Sequence, residues 1–323
     1  MNSRLIFAAS IAAISWLANA PAHAQSYPDR TVRLIIPFPA GGATDVIGRL
    51  ITDRLSGMWK QPVVVENHPG AGGTIGAALV AKSAPDGYTL LVHSAAQAYN
   101  PSIYASLPYD TTKDFIDVVP LGGQPNVLVV APAAGFKNVA DLIAQAKQKP
   151  GQLNFGSAGQ GSGTHINGEK FKLAAGIDVV HIPYKGTPEA LTDTMAGRIT
   201  YFFSPISAAL PFVRDGKLTA LAVSTAKRSS VLPNVPTIAE AGLPSFDYSL
   251  WVGLFAPAGT PAETVDKIAR DVRTAAQSPE IKERFATLGA EPMPMNPTEF
   301  KQFVDSEIAD SAKVIKAAGI KAQ

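Results

Sequence analysis

Apolar residues in the first third of the chain alternate between short continuous runs and helical spacings. Val32 to Pro37 is a short apolar run that predicts a buried strand. After the Pro/Gly-rich stretch Phe38 to Ala43, apolar residues recur at helical intervals up to Trp59, which predicts a helix from about Thr44. Two more strands and a helix between them are predicted at Val63 to Glu66, Thr89 to His93 and about Thr74 to Lys82. This alternation is typical of a mostly parallel sheet flanked by helices, an α/β fold.

The same alternation returns after a Pro-rich interruption. We expect Asn100 to Gly123 to be an irregular connection over the surface, and Asn126 to Ala131 to be a strand that crosses into a second domain. The second domain is predicted to contain helices and strands at Val139 to Lys149, Leu153 to Phe155, Thr164 to Ala175, Val179 to Pro183, Thr187 to Ala196 and Ile199 to Phe203. A helix to Val213 then leads to Leu218 to Ser224, a strand that could return the chain. The expected lobes are residues 25–125 with 225–323, and residues 126–224, joined by a hinge of two crossing strands.

The remaining part of the chain is predicted to be mainly helical. Val231 to Pro244 is Pro-rich, and Ser249 to Ala256 is one more apolar strand. Capping signals then predict helix starts at Thr260-Pro261-Ala262-Glu263, Ser278-Pro279 and Asn296-Pro297-Thr298-Glu299. Asn138 with Asp141 is a similar signal earlier in the chain.

The first residues predict a signal peptide. Arg4 supplies the positive charge, Leu5 to Leu17 is an apolar run too short to span a bilayer, and Ala22-His23-Ala24 fits the small-x-small cleavage rule. We expect cleavage after Ala24, since cleavage after Ala20 would leave Pro21 at the new end. The mature protein is therefore expected in the periplasm.

Composition narrows the function further. The chain of 323 residues is 46% hydrophobic and 17% charged with a net charge of +2, so no basic surface for nucleic acid is expected. It has no cysteine, which excludes disulfides and thiolate metal sites. The four histidines that follow the predicted signal peptide have no metal-ligand spacing. No cofactor and no metal are expected.

Two glycine-rich stretches, each between a predicted strand and a predicted helix, carry the chemistry. They are Phe38 to Asp45 and Ser157 to His165. Backbone N–H groups at a helix start are unpaired and carry partial positive charge, so an anion can bind there without Lys or Arg. Ordinary turn glycines are the alternative for either stretch alone. Two such junctions favour a clamp for a small carboxylate.

Motifs for nucleotides and for hydrolysis are missing. There is no Gly-x4-Gly-Lys-Ser/Thr, and Gly159, Gly161 and Gly163 lack the spacing of a dinucleotide fingerprint. No Ser occupies Gly-x-Ser-x-Gly, and no His-Glu-x-x-His occurs.

Together the motifs resemble one family, the periplasmic substrate-binding receptors of tripartite tricarboxylate transporters, also called the Bug family. The matching stretches, which span the predicted mature chain in order, are PFPAGGATD (37–45), VVVENHPGAGGTIGA (63–77), DGYTLL (86–91), NPSIYASLPYD (100–110), KPGQLNFGSAGQGSGTH (149–165), IPYKGTPEALTD (182–193), GKLTALAVSTAKR (216–228), VPTIAEAGLP (235–244) and LFAPAGTP (254–261). The resemblance implies a two-lobed type II periplasmic binding protein fold and transport of organic acids with two membrane proteins. It also implies that backbone N–H groups of the two loops hold the ligand carboxylate.

The expected ligand contacts combine the two loops with the ends of two other strands. They are Phe38, Ala40, Gly41, Ala43, Thr44, Asp45, Ser94, Gln97, Ser157, Gly159, Gly161, Thr164, His165 and Ser204. Several of these have a plain structural alternative: Phe38 as core, Asp45 as a helix-dipole partner, His165 as a packing residue, and Ser157, Ser162 and Thr164 as helix caps.

Three residues and one segment depart from the family's usual pattern, and we expect Ser204 and the segment to affect selectivity. His68 and Thr74 replace the usual Arg and Asn without changing the loop chemistry. Ser204 and the segment Ser94 to Gln97 also differ, and we expect them to read the distal end of the ligand. The ligand therefore cannot be taken from any one relative.

The expected function is capture of a small organic acid by a monomer and delivery to transporter membrane subunits, without chemistry on the ligand. Two alternatives stay open. One is an exported hydrolase that uses Ser157 or Ser162, and the other is a sensor that presents the ligand to a membrane kinase.

Overall fold

The computed structural model describes residues 27–320. The predicted signal peptide and its cleavage after Ala24 lie outside the described residues. Within residues 27–320, no helix combines the length and apolarity needed to cross a membrane.

Nine strands form one mixed sheet in the order β2-β1-β3-β9-β4-β7-β5-β6, with β8 also paired to β4. The strands are β1 (Val32–Ile36), β2 (Val63–Asn67), β3 (Thr89–Ser94), β4 (Phe115–Val130), β5 (Asn154–Ser157), β6 (Val180–Pro183), β7 (Tyr201–Pro205), β8 (Thr219–Val223) and β9 (Ser249–Pro257). The pairs of β1 with β2 and β3, and of β5 with β6 and β7, are parallel. β4 and β9 run antiparallel to their neighbours, so the α/β class is confirmed with a sheet that is mixed.

Ten helices of the described chain cover this sheet. They are α1 (Ala43–Trp59), α2 (Thr74–Ala81), α3 (Ala96–Ile103), α4 (Val139–Gln148), α5 (Gly163–Ala175), α6 (Thr187–Met195), α7 (Ile206–Arg214), α8 (Ala262–Gln277), α9 (Pro279–Leu288) and α10 (Pro297–Ala317). Two short 3₁₀ turns lie at Ala71–Gly73 and Pro132–Ala134. Buried apolar side chains fill both faces of the sheet, which explains why most strands read as continuous apolar runs.

The long strand β4 joins the two halves of the sheet. Its residues up to Pro125 pair with β9, whereas its residues from Asn126 onward pair with β7 and β8. We call the strands on the β9 side the first half-sheet and those on the β7 side the second half-sheet. The predicted lobe boundaries at 125/126 and 224/225 stay a prediction.

The predicted surface connection over Asn100 to Gly123 is wrong at both ends, whereas residues 104–114 between them contain no helix or strand. Its first residues belong to α3, and Phe115 onward belongs to β4, where most side chains are buried. The strand contains Pro120, Gly122 and Gly123, which read locally as breakers. They are accommodated because the pairing of β4 with β9 shifts register between Asp117 and Val119 and between Pro120 and Gly122.

The helix caps agree with the sequence signals except at one position. Asn138 accepts from the Asp141 N–H, and Asn296 with Glu299 forms a complete capping box. Thr260 does not cap α8, because its Oγ1 donates to the Pro257 carbonyl oxygen and Pro261 occupies the N-cap position.

Candidate functional site

The loop between β1 and α1 leaves backbone donors free at the start of the helix. No acceptor within residues 27–320 takes the N–H of Ala43 or Thr44. The Thr44 side chain is 4% exposed and makes no hydrogen bond to the described residues. Phe38 is also buried and packs edge-on against His93, with ring centroids 5.5 Å apart. This loop therefore offers two amide donors and a hydroxyl beside an aromatic wall.

Asp45 stabilises this loop and does not line the cavity described below. Its Oδ2 accepts from the Gly41 N–H at 3.0 Å, and its Oδ1 accepts from Arg49 Nε and Asn67 Nδ2, both at 2.9 Å. Ala40 and Gly41 are exposed at the tip of the loop, and the Gly41 N–H is already used. Asp45 and Gly41 therefore stabilise the loop through their mutual hydrogen bond, and Ala40 is exposed at its tip. None of the three is in the cavity lining.

The loop between β5 and α5 repeats the arrangement. The N–H groups of Gly163 and Thr164 have no acceptor within the described chain. Thr164 Oγ1 accepts from the Ala158 N–H at 2.8 Å and lies 3.0 Å from Ser162 Oγ. Ser162 Oγ in turn accepts from the His165 N–H, which makes it the N-cap of α5.

The other predicted contacts of this loop support it from behind. The Gly159 N–H donates to Ser157 Oγ at 3.1 Å, and the Gly161 N–H donates to His165 Nδ1 at 3.2 Å. Ser157 is fully buried and His165 is 2% exposed. None of these four residues is in the lining of the cavity described below.

The two loops face each other across a small cavity of about 20 Å³, which is room for about one water molecule. Its lining consists of Phe38, Pro39, Gly42, Ala43, Thr44, Ser94, Ala158, Ser162, Gly163, Thr164, Thr187, Pro205 and Leu250. No charged side chain is in this lining. The loops are closed on each other, since Tyr104 Oη donates to the Gln160 carbonyl oxygen at 3.1 Å from the opposite half-sheet.

Five helices begin at this cavity, where the sequence predicted two. Besides α1 and α5, α6 begins at Thr187, α7 follows Pro205, and α3 begins just after Ser94. Each of the five follows a strand that is paired in parallel with a neighbour, so their N-termini meet at one edge of the sheet. Their dipoles and free N–H groups create a positive potential that suits an anion without a cationic side chain.

Thus the structure brings Phe38, Ala43, Thr44, Ser94 and Thr164 of the predicted set into one lining. It leaves out two more predicted contacts: Gln97, which is 1% exposed, and Ser204, whose Oγ donates to the Pro205 carbonyl oxygen at 3.2 Å. Outside the two loops, sequence reasoning missed Thr187, Pro205 and Leu250. Thr187-Pro188 directly follows a strand and starts a helix, and this signal could have identified Thr187 as a site residue.

A stacked pair of histidines lies directly behind the second loop. The rings of His165 and His181 are 3.9 Å apart and 17° from parallel. Burial, assisted by Lys172, lowers the pKa of His165 to about 4. Burial, together with the neighbouring His165 and Lys172, lowers the pKa of His181 to about 2. Both rings are therefore neutral at physiological pH.

His181 also pairs with a serine, which bears on the hydrolase alternative. Ser157 Oγ lies 2.6 Å from His181 Nε2. However, the buried carboxyl of Glu169 approaches His165 at 3.9 Å and not His181, and Ser157 is absent from the cavity lining. The pair therefore lacks both an orienting acid and access to a substrate. Within the described residues no group of three or more acidic or histidine side chains could hold a metal ion.

Comparisons with known proteins agree on one family. Residues 47–320 match the model of the tripartite tricarboxylate transporter family receptor. The chain is 39% identical to the protein BugT of Bordetella pertussis over 304 residues, which cover 94% of this chain and 93% of BugT.

Solved structures of periplasmic binding proteins also superpose on this chain. Rpa4515 of R. palustris, solved with adipate, superposes with a TM-score of 0.89 at 36% identity, covering 92% of this chain and all of that one. MatC from Rhodopseudomonas palustris, solved with bound malate, gives a TM-score of 0.84 at 34% identity and covers 90% of this chain and 100% of its own. The periplasmic binding protein BugD gives 0.86 at 32% identity, with coverage of 92% and 100%.

Proposed function

The chain belongs to the family of tripartite tricarboxylate transporter receptors, and from this premise we propose that it binds a small carboxylate and delivers it to the membrane subunits of such a transporter. The family consists of periplasmic solute receptors. Adipate and malate, present in two similar structures, are both dicarboxylates and support an organic acid as the ligand.

The convergence of helix N-termini on one uncharged cavity is the observation that carries this proposal. Four amide N–H groups, of Ala43, Thr44, Gly163 and Thr164, have no acceptor among the described residues, and all four residues line the cavity. Amide donors left unpaired inside a protein are costly, and a carboxylate oxygen is an acceptor that satisfies them. We infer that the ligand carboxylate lies between the two loops and bridges the two half-sheets.

Ligand binding then favours the arrangement in which the loops of the two half-sheets lie close together. A ligand that contacts both loops has its full set of hydrogen bonds only when they are closed, so it shifts the population toward closure. The membrane subunits would recognise this closed form. No step in this cycle makes or breaks a covalent bond in the ligand. We further propose that the receptor is a monomer. We also propose that it is exported and cleaved after Ala24, and an intact-mass measurement on periplasmic protein checks this cleavage site.

A thermal-shift screen of the mature protein tests the proposal. Mono-, di- and tricarboxylates are compared with the amides of the same acids as matched neutral controls. We expect at least one acid to raise the melting temperature and its amide to have no effect, because only the carboxylate has the charge that the helix starts favour. If no acid in a broad panel raises it, the carboxylate-receptor proposal fails.

A further inference from the structure

A second cavity lies between α5 and α10 and is larger than the cavity between the two loops. Its volume is about 320 Å³, against about 20 Å³ for the first one, and a volume of this size accommodates a small organic molecule. The two cavities share no lining residue. We call the second one the α5–α10 cavity. The proposed receptor function does not use it, so it is a candidate for a further binding site.

Aromatic side chains form much of the wall of this cavity. They are Tyr99, Tyr248, Trp251 and Phe303. The first three are 3%, 7% and 2% exposed, and the rings of Trp251 and Phe303 meet edge to face with centroids 5.5 Å apart. Packing of this kind holds the rings in place. Aromatic rings attract organic cations through their electron-rich faces, and groups of such rings bind quaternary ammonium ions.

Glu307 of α10 places a carboxylate beside these rings. Its Oε2 accepts a hydrogen bond from Trp251 Nε1 at 3.0 Å and lies 3.3 Å from Tyr99 Oη. These contacts orient the carboxylate, and its Oε1 accepts no hydrogen bond from residues 27–320. The aromatic wall therefore carries a negatively charged oxygen that a ligand can contact.

The charges around the cavity leave this carboxylate without a cation. Asp310, about one turn further along α10, pairs with Lys313 at 2.8 Å. Among the described residues Lys170 is the one cationic side chain in the lining, and its Nζ donates to the Asp247 carbonyl oxygen. No ion pair within the described chain includes Glu307. A cationic ligand would supply the missing positive charge.

We propose that the α5–α10 cavity binds a small organic ammonium ion, with its charge against Glu307 and its methyl or methylene groups against the aromatic rings. This site is additional to the proposed carboxylate site and differs from it in chemistry. The cavity between the loops presents helix starts, whose partial positive charge disfavours a cation. The α5–α10 cavity presents a carboxylate and aromatic faces, which favour one.

Hydrogen bonds connect this site to the second loop. Tyr248 Oη donates to the Gly163 carbonyl oxygen at 2.8 Å, and Gly163 lines the cavity between the loops. Tyr99 Oη lies 3.4 Å from Tyr248 Oη and 3.3 Å from Glu307 Oε2, and its single hydrogen can be donated to only one of them. A cation at Glu307 weakens that acceptor and favours donation to Tyr248, which supports the loop.

The cavity also has walls from both sides of the molecule. Ile166 and Lys170 belong to α5, which packs on the second half-sheet, whereas Trp251 belongs to β9 of the first. An ion bound between them stabilises the closed arrangement. We therefore expect the cation to strengthen carboxylate binding, and the carboxylate to strengthen cation binding by the same factor. This coupling, unlike the site itself, rests on the proposed function.

Titration of the mature protein with choline, followed by NMR, tests the site. The matched neutral control is 3,3-dimethylbutan-1-ol, which has the same shape as choline without its charge. We expect choline to bind about tenfold or more tightly than the alcohol, because only choline is attracted by the Glu307 carboxylate and the ring faces. Equal affinities, or no binding of choline, would overturn the proposal.

Variants then locate the ion. Glu307→Gln keeps the shape of the side chain and removes its charge, and it should weaken choline binding about tenfold or more. Phe303→Leu removes one ring of the wall and should also weaken it, which provides a second test if Glu307→Gln does not fold. Asp305→Asn is the matched control, because Asp305 carries the same charge on the same helix but pairs with Lys301 at 2.9 Å and lies outside the lining. If every folded variant binds choline as the parent protein does, the α5–α10 site is refuted.

Phosphatidylcholine carries the same cation as choline, so the source of the ion is tested separately. Sedimentation with phosphatidylcholine vesicles is compared with sedimentation with phosphatidylglycerol vesicles. Retention on the first vesicles alone, lost in Glu307→Gln, would identify a lipid headgroup as the ligand. Binding of free choline without retention on vesicles would identify a free solute.

Adding the preferred carboxylate separates this proposal from the receptor function. At a saturating concentration the carboxylate should leave choline bound and strengthen its binding. Displacement of choline would place the cation in the cavity between the loops and overturn the second site, whereas an unchanged choline affinity would refute the coupling alone. If choline binds but no carboxylate does, the carboxylate-receptor function fails and the α5–α10 site stands.

Discussion

His165 and His181 make the stability of the fold depend on pH. Their pKa values are lowered to about 4 and about 2, whereas an unfolded histidine takes up its proton near 6.5. Between pH 6.5 and about 4 the unfolded state therefore binds more protons than the folded state. Stability is fully present above pH 6.5 and falls as the pH is lowered through this window, by an amount on the order of a few kcal/mol.

Urea unfolding at several pH values between 7.5 and 4.5 measures this slope. We expect His165→Phe, which keeps an aromatic ring against Phe155, to have a shallower pH dependence than the parent protein. Phe171→Leu is the control, because it changes a fully buried side chain of the same core that does not titrate. It should lower stability about equally at every pH. An unchanged slope in His165→Phe would show that His165 takes no part in the pH dependence.

At the level of elements, the starts of the helices carry the binding chemistry. Thr187 begins α6, is 5% exposed, and has a hydroxyl with no hydrogen-bond partner among the described residues. We expect Thr187→Val to weaken binding of the preferred carboxylate by roughly tenfold to a hundredfold, the effect of one lost hydrogen bond to a charged group. The melting temperature without ligand should stay close to that of the parent, because no internal bond is lost.

Thr192→Val on the same helix is the matched control for this prediction. Thr192 is exposed, and its Oγ1 donates to the Pro188 carbonyl oxygen one turn earlier. When both variants are titrated with the ligand, Thr192→Val should bind it as tightly as the parent protein, and Thr187→Val should bind it more weakly. Equal affinities in the two variants would mean that Thr187 does not contact the ligand.

Most elements could be predicted from the sequence, because local patterns determine them. The strand and helix around Phe38 to Ala43 follow from an apolar run, a glycine loop and helical spacing, and their bounds differ by about one residue. Strand β4 could not be found in this way. Its Pro and Gly residues read as a loop, and its partner β9 begins more than a hundred residues later in the chain. Only the completed sheet makes that segment a strand.

The candidate site, too, could be predicted only where a local sequence pattern marks its residues. The two glycine loops were identified because each has its own local signal. Leu250 has none, since it reaches the cavity only through the pairing of β9 with β4, which is distant in the chain. Conversely, Asp45 and His165 have residue types that suit a ligand contact, but the fold uses them for internal hydrogen bonds.

For the molecule as a whole, closure depends on a tight approach between the two half-sheets at Gly186. This residue precedes α6 and has an extended backbone with φ of −176°, which any residue can adopt. A Cβ atom there would lie 2.5 Å from Pro39 Cγ and 2.7 Å from Pro39 Cδ, in the loop of the opposite half-sheet. A methyl group at this position therefore strains only the closed arrangement.

We expect Gly186→Ala to fold normally but to bind the preferred carboxylate at least about tenfold more weakly, because the steric overlap opposes the closed state that the ligand requires. Small-angle X-ray scattering should show a decrease in the radius of gyration on ligand addition for the parent protein, and a smaller decrease for the variant. Gly57→Ala is the control, since a Cβ there meets nothing within 4 Å. If Gly186→Ala closes and binds like the parent, the loops approach each other less closely in the liganded state, and Pro39 does not limit closure.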